Sequence, residues 1–219
     1  MEPNFPFEIA EATSSHEAEI IDFLLSDFLG REPLNEALDL RPMQCKEFFQ
    51  YLIHKGVTSK QSLVIRDANG KLIATQIASI LERQANDQEN NNSQDQIKLE
   101  GEIRKIAGLL EKLDEQIWTT VPLEVTRLFY IMIISVSSHF ERRGIANRLM
   151  ANAVQQAQNT RCHGILAEAT AYNSQKLFEK CGFTVLYEVK HSDYLDETGK
   201  RIIHCRDQTD SAQLVFKKV

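Results

Sequence analysis

One ten-residue run, Leu128 to Ser137 (LFYIMIISVS), limits the fold of this 219-residue chain more than any other feature. It is apolar on both faces of an extended strand instead of alternating with polar residues, as a buried central strand is. Such a strand must be covered on both sides, which predicts a sheet with helices above and below it. The next residues tighten the constraint. Ser135 to Met150 reads SVSSHFERRGIANRLM, so a strand end, two arginines and a glycine run directly into an amphipathic helix. Free backbone N–H groups and the positive end of a helix dipole converge at such a junction, which makes it a seat for a phosphate.

The pattern on either side predicts the remaining elements. Phe7 to Thr13 alternates as a first strand, and Ser14 with Glu17 forms a capping-box signature for a helix that stops near Gly30. A second helix is expected over Gln44 to His54, with Gly56 as its stop. SLVIRDANGKLIATQIASIL reads as a hairpin around Asp67-Ala68-Asn69-Gly70. The polar tract at 83–96 (RQANDQENNNSQDQ) has nothing to bury and is expected to be a mobile surface loop. Beyond it, Ile103, Ile106, Leu110, Leu113 and Ile117 make one apolar helix face, expected to pack on its own domain. After the central strand come a helix from Gly144 to Asn159, a strand from Gly164 to Thr170 and a helix from Asn173 to Cys181. A strand from Phe183 to Val189, a turn at Asp196 to Arg201 and a terminal strand AQLVFKKV complete the order. The expectation is an α/β fold, a mixed sheet flanked by helices, in one domain over 1–219.

Composition excludes several functions. With 25 Lys+Arg against 31 Asp+Glu, a net charge of −6 leaves no basic face for sequence-independent nucleic-acid binding. The N-terminus lacks a signal-peptide pattern and Leu128 to Val136, the longest apolar run, is too short to span a bilayer, so neither membrane nor secretion is expected. Cys45, Cys162, Cys181 and Cys205 form no CxxC pair and fit reduced thiols, which with the absence of an HExxH spacing argues for a cytoplasmic protein without a metal. A monomer or weak dimer is expected.

The junction has neither a GxGxxG nor a GxxxxGK[ST] spacing. It has ERRGIA, Glu141 to Ala146. Gly144 lets the backbone curl around one anionic group, Ala146 keeps the first helical turn slim, and Arg142 and Arg143 supply charge. These six residues alone are also those of an ordinary helix start. Together with AYNSQKLFEKCGF, Ala171 to Phe183, they resemble the GNAT superfamily of acetyl-CoA-dependent N-acetyltransferases, in element order from about Phe7 to Val219. The resemblance implies a GNAT-like mixed sheet of about seven strands, with acetyl-CoA as co-substrate. It places the pyrophosphate on the turn (Arg142, Arg143, Gly144, Ile145, Ala146) and the pantetheine arm along Ile134, Ser135 and Val136. Two positions depart from the family: Glu141 stands where Gln or Arg is usual and is expected to point outward, and Phe178 replaces a tyrosine that protonates the leaving thiolate.

An ammonium with a pKa of about 10 must lose a proton before it attacks a thioester. Glu32, in SDFLGREPLNEALDL, reads on its own as a loop carboxylate. EPLNEALDL is similar to the segment of the invertebrate arylalkylamine N-acetyltransferases, including the insect dopamine type, that carries their catalytic glutamate. That resemblance implies Glu32 as base, with Thr170 and Ser174 as hydroxyls near the thioester and a small arylalkylamine as acceptor. Read on their own, the two hydroxyls are a strand-end threonine and a helix-capping serine. Polyamine or protein-lysine acetylation, or a non-catalytic acyl-CoA-binding module, are the competing readings.

Overall fold

The computed structural model describes residues 5–83 and 98–219. The polar tract at 83–96 lies, from residue 84 onward, outside the described residues. Seven strands form one sheet: β1 (Glu8–Glu11), β2 (Leu63–Arg66), β3 (Leu72–Glu82), β4 (Arg127–Val136), β5 (Gly164–Ala169), β6 (Thr184–Lys190) and β7 (Ser211–Lys218). Their order is β1-β2-β3-β4-β5-β7-β6, and every neighbouring pair is antiparallel except β4 with β5. The sheet is mixed and flanked by helices, with seven strands as expected.

β4 is covered on both faces, as its composition requires. Leu128 and Tyr130 pack with Leu24, Phe49, Ile53 and Leu109, from the side of α1 (Glu17–Phe23), α3 (Pro42–Thr58) and α4 (Glu102–Asp114). Phe129 and Ile131 pack the other way, with Met150 and Ala153 of α6 (Ile145–Asn159) and Phe178 of α7 (Tyr172–Lys180). Two short helices complete the set, α2 (Pro33–Ala37) and α5 (Ile117–Thr120).

β4 and β5 stay together only briefly. They pair from Leu128 with Gly164 to Ile131 with Ala167, and there the ladder stops although β4 runs on to Val136 and β5 to Ala169. The register between β3 and β4 shifts at the same level, where Ile77 faces Ile133 and Ala78 faces Ile131, so Met132 is an extra residue bulged out of β4. A bulge bends its strand and increases local twist. Here it opens a wedge between two parallel neighbours, and among the described residues the β5-facing edge of Ile133 to Val136 has no strand against it.

Three local expectations need correction. Thr13, not Ser14, starts the first helical turn, and its N–H donates to His16 Nδ1 at 3.0 Å, since the turn begins as a 3₁₀ helix over Ser14–His16. Gly56 does not stop α3, which runs to Thr58. A Cβ at Gly56 would stand 2.5 Å from Ile77 Cγ2 and 2.6 Å from Ser62 Oγ, so the glycine is there to let α3 lie against β3. The apolar face from Ile103 to Ile117 is divided between α4 and α5.

Exposed helix glycines are usually stabilised by alanine. Gly56→Ala should do the reverse and lower stability by roughly 1–3 kcal/mol through overpacking. Urea unfolding of the two proteins checks this, and an unchanged midpoint would contradict the contact.

Candidate functional site

The site is assembled where the first helix runs out. α1 passes into a π-helical turn, Leu24–Phe28, closed by Leu29 N–H to Leu24 O at 2.8 Å. The Glu32 N–H then returns to Phe28 O at 3.0 Å, and Pro33 opens α2. Glu32 thus becomes the N-cap of α2, with Oε2 accepting the Asn35 N–H at 2.8 Å. Glutamate is not among the favoured N-cap residues, so capping alone does not account for it. Its other oxygen, Oε1, accepts the Thr170 hydroxyl at 3.0 Å, across 138 positions of sequence. The structure therefore brings Glu32 and Thr170 into contact at the open end of β5.

Glu32 is 8% exposed. Burial raises its carboxyl from 4.5 to about 7, against the bonds from Asn35, Thr170 and the Leu34 backbone and with Asp207 adding a smaller push upward. A carboxylate held near neutrality can both accept and release a proton at ordinary pH. Cys45 and Cys205 lie close enough to feel its charge. Phe28, one turn before Glu32, meets Phe49 edge-on at 6.0 Å, and Phe48 lies 6.3 Å from Phe49.

Ser174 sits at the start of α7. Its hydroxyl donates to Ala171 O at 2.7 Å and accepts the Ala171 N–H at 3.2 Å, so in this structure it caps the helix. Phe178 is buried against Phe183, with ring centroids 5.0 Å apart. Tyr172 N–H is held by Thr209 Oγ1 at 2.8 Å, which ties the helix start to the segment before β7.

On the other side of the wedge lies the glycine turn. Gly144 has φ +79°, Arg142 φ +58°, and no side chain caps α6. The first intrahelical bond is Arg148 N–H to Gly144 O at 3.0 Å, so the amides of Ile145, Ala146 and Asn147 precede the helical ladder. The Ile145 side chain is buried among Leu63, Ile65 and Ile73, which turns its backbone to the surface. Arg143 lies over the Phe140 ring at 5.0 Å, and both Arg142 and Arg143 are exposed. Ser135 Oγ, on β4 beyond the end of its ladder with β5, is buried and without a partner among the described residues. An uncapped helix start, two arginines and an open strand edge fit a ligand with an anionic end and an amide-bearing arm.

Glu141 is half exposed and is tied to another element. Its Oε1 accepts from Arg31 Nη1 at 2.6 Å. Arg31 also bonds Asp27 and, at 2.8 Å, the Val136 carbonyl. Of the three β4 residues expected along the arm, Val136 therefore has its carbonyl already engaged. Asp27 in turn accepts the Ser138 N–H at 3.2 Å. This network fastens the π turn to the end of β4, and no short motif in the sequence marks it. Among the described residues, no group of His, Cys, Asp and Glu could hold a metal ion, and no helix is long and apolar enough to cross a membrane.

Comparison with known proteins bears on the fold. Residues 109–183 match the Acetyltransferase (GNAT) family model. No curated relative matches by sequence. Among solved structures, arylalkylamine N-acetyltransferase 2 from Aedes aegypti is similar with a TM-score of 0.86 at 23% identity, covering 97% of this chain and 98% of that one. An agmatine N-acetyltransferase, solved as an apo mutant, gives 0.80 at 17% identity over 98% and 100%. A Drosophila melanogaster polyamine N-acetyltransferase gives 0.77 at 18% identity over 97% and 100%. These likenesses establish the fold.

The raised Glu32 carboxyl has a cost that stability measurements can read. Between 4.5 and about 7 the folded chain keeps the proton that the unfolded chain has lost, so this group's effect is to lower stability as pH rises through that window. Above it the loss is roughly 3 kcal/mol. Glu32→Gln keeps an acceptor for Asn35 and removes the charge, so its stability relative to wild type should increase from pH 4.5 to 7 and then level off. Thermal unfolding across pH checks this; a constant difference would contradict the buried, titrating carboxylate.

Proposed function

We infer that this chain, which has the GNAT acetyltransferase fold and matches the family model over 109–183, is an acetyl-CoA-dependent N-acetyltransferase of small primary amines. The observation that carries the reading is the contact between Glu32 and Thr170 at the mouth of the β4/β5 wedge, opposite an uncapped anion-binding turn. The acceptor class we assign first is the arylalkylamine, of dopamine, serotonin or tyramine type. Two things support it: EPLNEALDL around Glu32, and the Phe28–Phe49–Phe48 cluster, whose Phe28 lies one turn before Glu32 in the chain.

Acetyl-CoA supplies the activated acetyl group. Backbone amides at Gly144 to Ala146, with Arg142 and Arg143, would bind the pyrophosphate of this co-substrate, and the unpaired β4 edge at Ile134 and Ser135 would orient its arm. Glu32 takes one proton from the ammonium, so that the neutral amine meets the thioester inside the wedge. Thr170 holds Glu32 in place by donating to Oε1. Once the carboxyl is protonated, the threonine oxygen can take that proton and pass its own toward the departing thiolate, the role Phe178 cannot fill. Ser174 positions the start of α7 beside it and serves as a second hydroxyl when its bond to Ala171 is exchanged. Backbone N–H groups of the open β4 edge would stabilise the charge that develops on the carbonyl oxygen. Holding amine and thioester together supplies much of the rate by proximity.

Turnover should follow ionisation of Glu32, giving kcat/KM an acid limb near pH 7. Glu32→Gln should lower kcat/KM for an aromatic ethylamine by roughly two to four orders of magnitude, with a smaller deficit at high pH where more amine arrives neutral. Acetyl-CoA affinity should barely change. A coupled assay of thiol release across pH tests this, and near-wild-type turnover by the folded variant would overturn the role of Glu32.

A further inference from the structure

The two halves of the site meet at the Glu32–Thr170 contact, and one short segment is fastened to both of them. It runs from Cys205 to Thr209 (CRDQT), between β6 and β7, and the reaction above makes no use of it. Toward α2, Cys205 Sγ donates to the carbonyl of Pro33, the residue after Glu32, at 3.6 Å. Arg206 Nη1 reaches Glu36 Oε1, further along the same helix, at 3.1 Å. Toward α7, Thr209 Oγ1 accepts the Tyr172 N–H at 2.8 Å. His191 backs the segment at the end of β6 and is fully buried. Its backbone N–H donates to Asp210 O at 2.8 Å, and its ring Nδ1 lies 3.8 Å from Cys205 Sγ.

Thr209 is a helix cap supplied from outside the helix. The first amides of a helix have no partner within it, and Ala171, which stands at the N-cap of α7, has no side-chain acceptor to offer. Asp207 prepares the threonine for the task. Its Oδ2 accepts the Thr209 hydroxyl at 2.9 Å and its Oδ1 accepts the Thr209 N–H at 3.0 Å. With its proton committed to the carboxylate, Thr209 Oγ1 has lone pairs left to offer, and the Tyr172 N–H takes one. Thr209 is 3% exposed, so water has little access to replace it.

We propose that Thr209 is a positioning residue: by capping α7 it keeps Thr170 where its hydroxyl reaches Glu32, while Cys205 and Arg206 hold α2 in the same frame. The proposal rests on the reading of Glu32 as the base. Thr170 stands two residues before Tyr172, and Ala171 between them is extended (φ −125°, ψ 142°), so a shift of the capped amide is carried to Thr170. A misplacement of about 1 Å in a reacting constellation costs about a hundredfold in rate.

The test is Thr209→Val, which keeps the shape and removes the acceptor, against Thr209→Ser, which restores it. Gln175 of α7 also bonds the Ala169 and Ser211 carbonyls, at 3.2 and 2.9 Å, and keeps the helix docked in the variant. With an aromatic ethylamine, Thr209→Val should lower kcat roughly ten- to a hundredfold, with KM and acetyl-CoA affinity changed less than about twofold and Thr209→Ser close to wild type. The Thr170 bond holds the Glu32 carboxyl down against burial, so its loss in Thr209→Val should move the Glu32 titration, followed by NMR, and the acid limb of kcat/KM to higher pH. Asp207→Asn, at an exposed position, turns an acceptor of the Thr209 hydroxyl into a donor; it should lower kcat in the same way and guards against a folding defect in Thr209→Val. A Thr209→Val protein that loses thermal stability but keeps its kcat and its Glu32 midpoint would overturn the proposal and leave a structural cap. A displaced Glu32 midpoint in a protein that acetylates no amine would instead uphold the positioning role and refute the catalytic reading.

Discussion

Everything that distinguishes this molecule from a plain twisted sheet follows from where β4 and β5 stop pairing. Their parallel ladder ends at Ile131 and Ala167, level with the bulged Met132. A continuous ladder would have satisfied the backbone of Ile133 to Val136 and closed the sheet. The break instead leaves an edge in the middle of a protein, where unpaired backbone groups are normally avoided. It places the uncapped start of α6 at the end of one strand and Thr170 at the end of the other. The helices on the far side then have one opening to close over, and the π turn brings Glu32 into it.

The electrostatics of that opening are arranged by separation. Arg31 and Glu32 are neighbours in sequence but face different partners. Arg31 is consumed by Asp27, Glu141 and the Val136 carbonyl, so its charge fastens the loop and does not neutralise Glu32. Glu32 is left with hydrogen bonds from neutral groups only, and burial then dominates its titration. An ion pair in that position would have held the carboxyl low and made it a poor proton acceptor for an ammonium. Cys45 and Cys205 register the same environment, both pushed upward, to about 11 and about 12, by burial and by the Glu32 charge. Neither of these two thiols is poised as a nucleophile.

Much of this was legible in the residues, and what was not has a physical reason. The double-sided apolarity of Leu128 to Val136 announces a central strand because burial on two faces leaves no polar position. Gly144 announces its turn because a left-handed backbone favours glycine. Gly56 misled for the same reason in reverse: a glycine ending a helix and a glycine admitting a neighbouring strand look alike until Ile77 is seen against it. The bulge at Met132 leaves no mark in the sequence, since a one-residue shift in an all-apolar strand changes no pattern. Glu32 was picked out only by likeness to a known segment, because its contact with Thr170 spans 138 positions.

The central claim is that Glu32 rests, in the free protein, in a buried setting that makes it a base near neutral pH. Its side-chain carboxyl carbon can be followed directly by NMR through a pH titration, with Glu32→Gln used to assign the signal. A midpoint near 7 is the predicted result. A midpoint at the ordinary glutamate value of about 4.5 would contradict the account, whatever the protein turns out to acetylate.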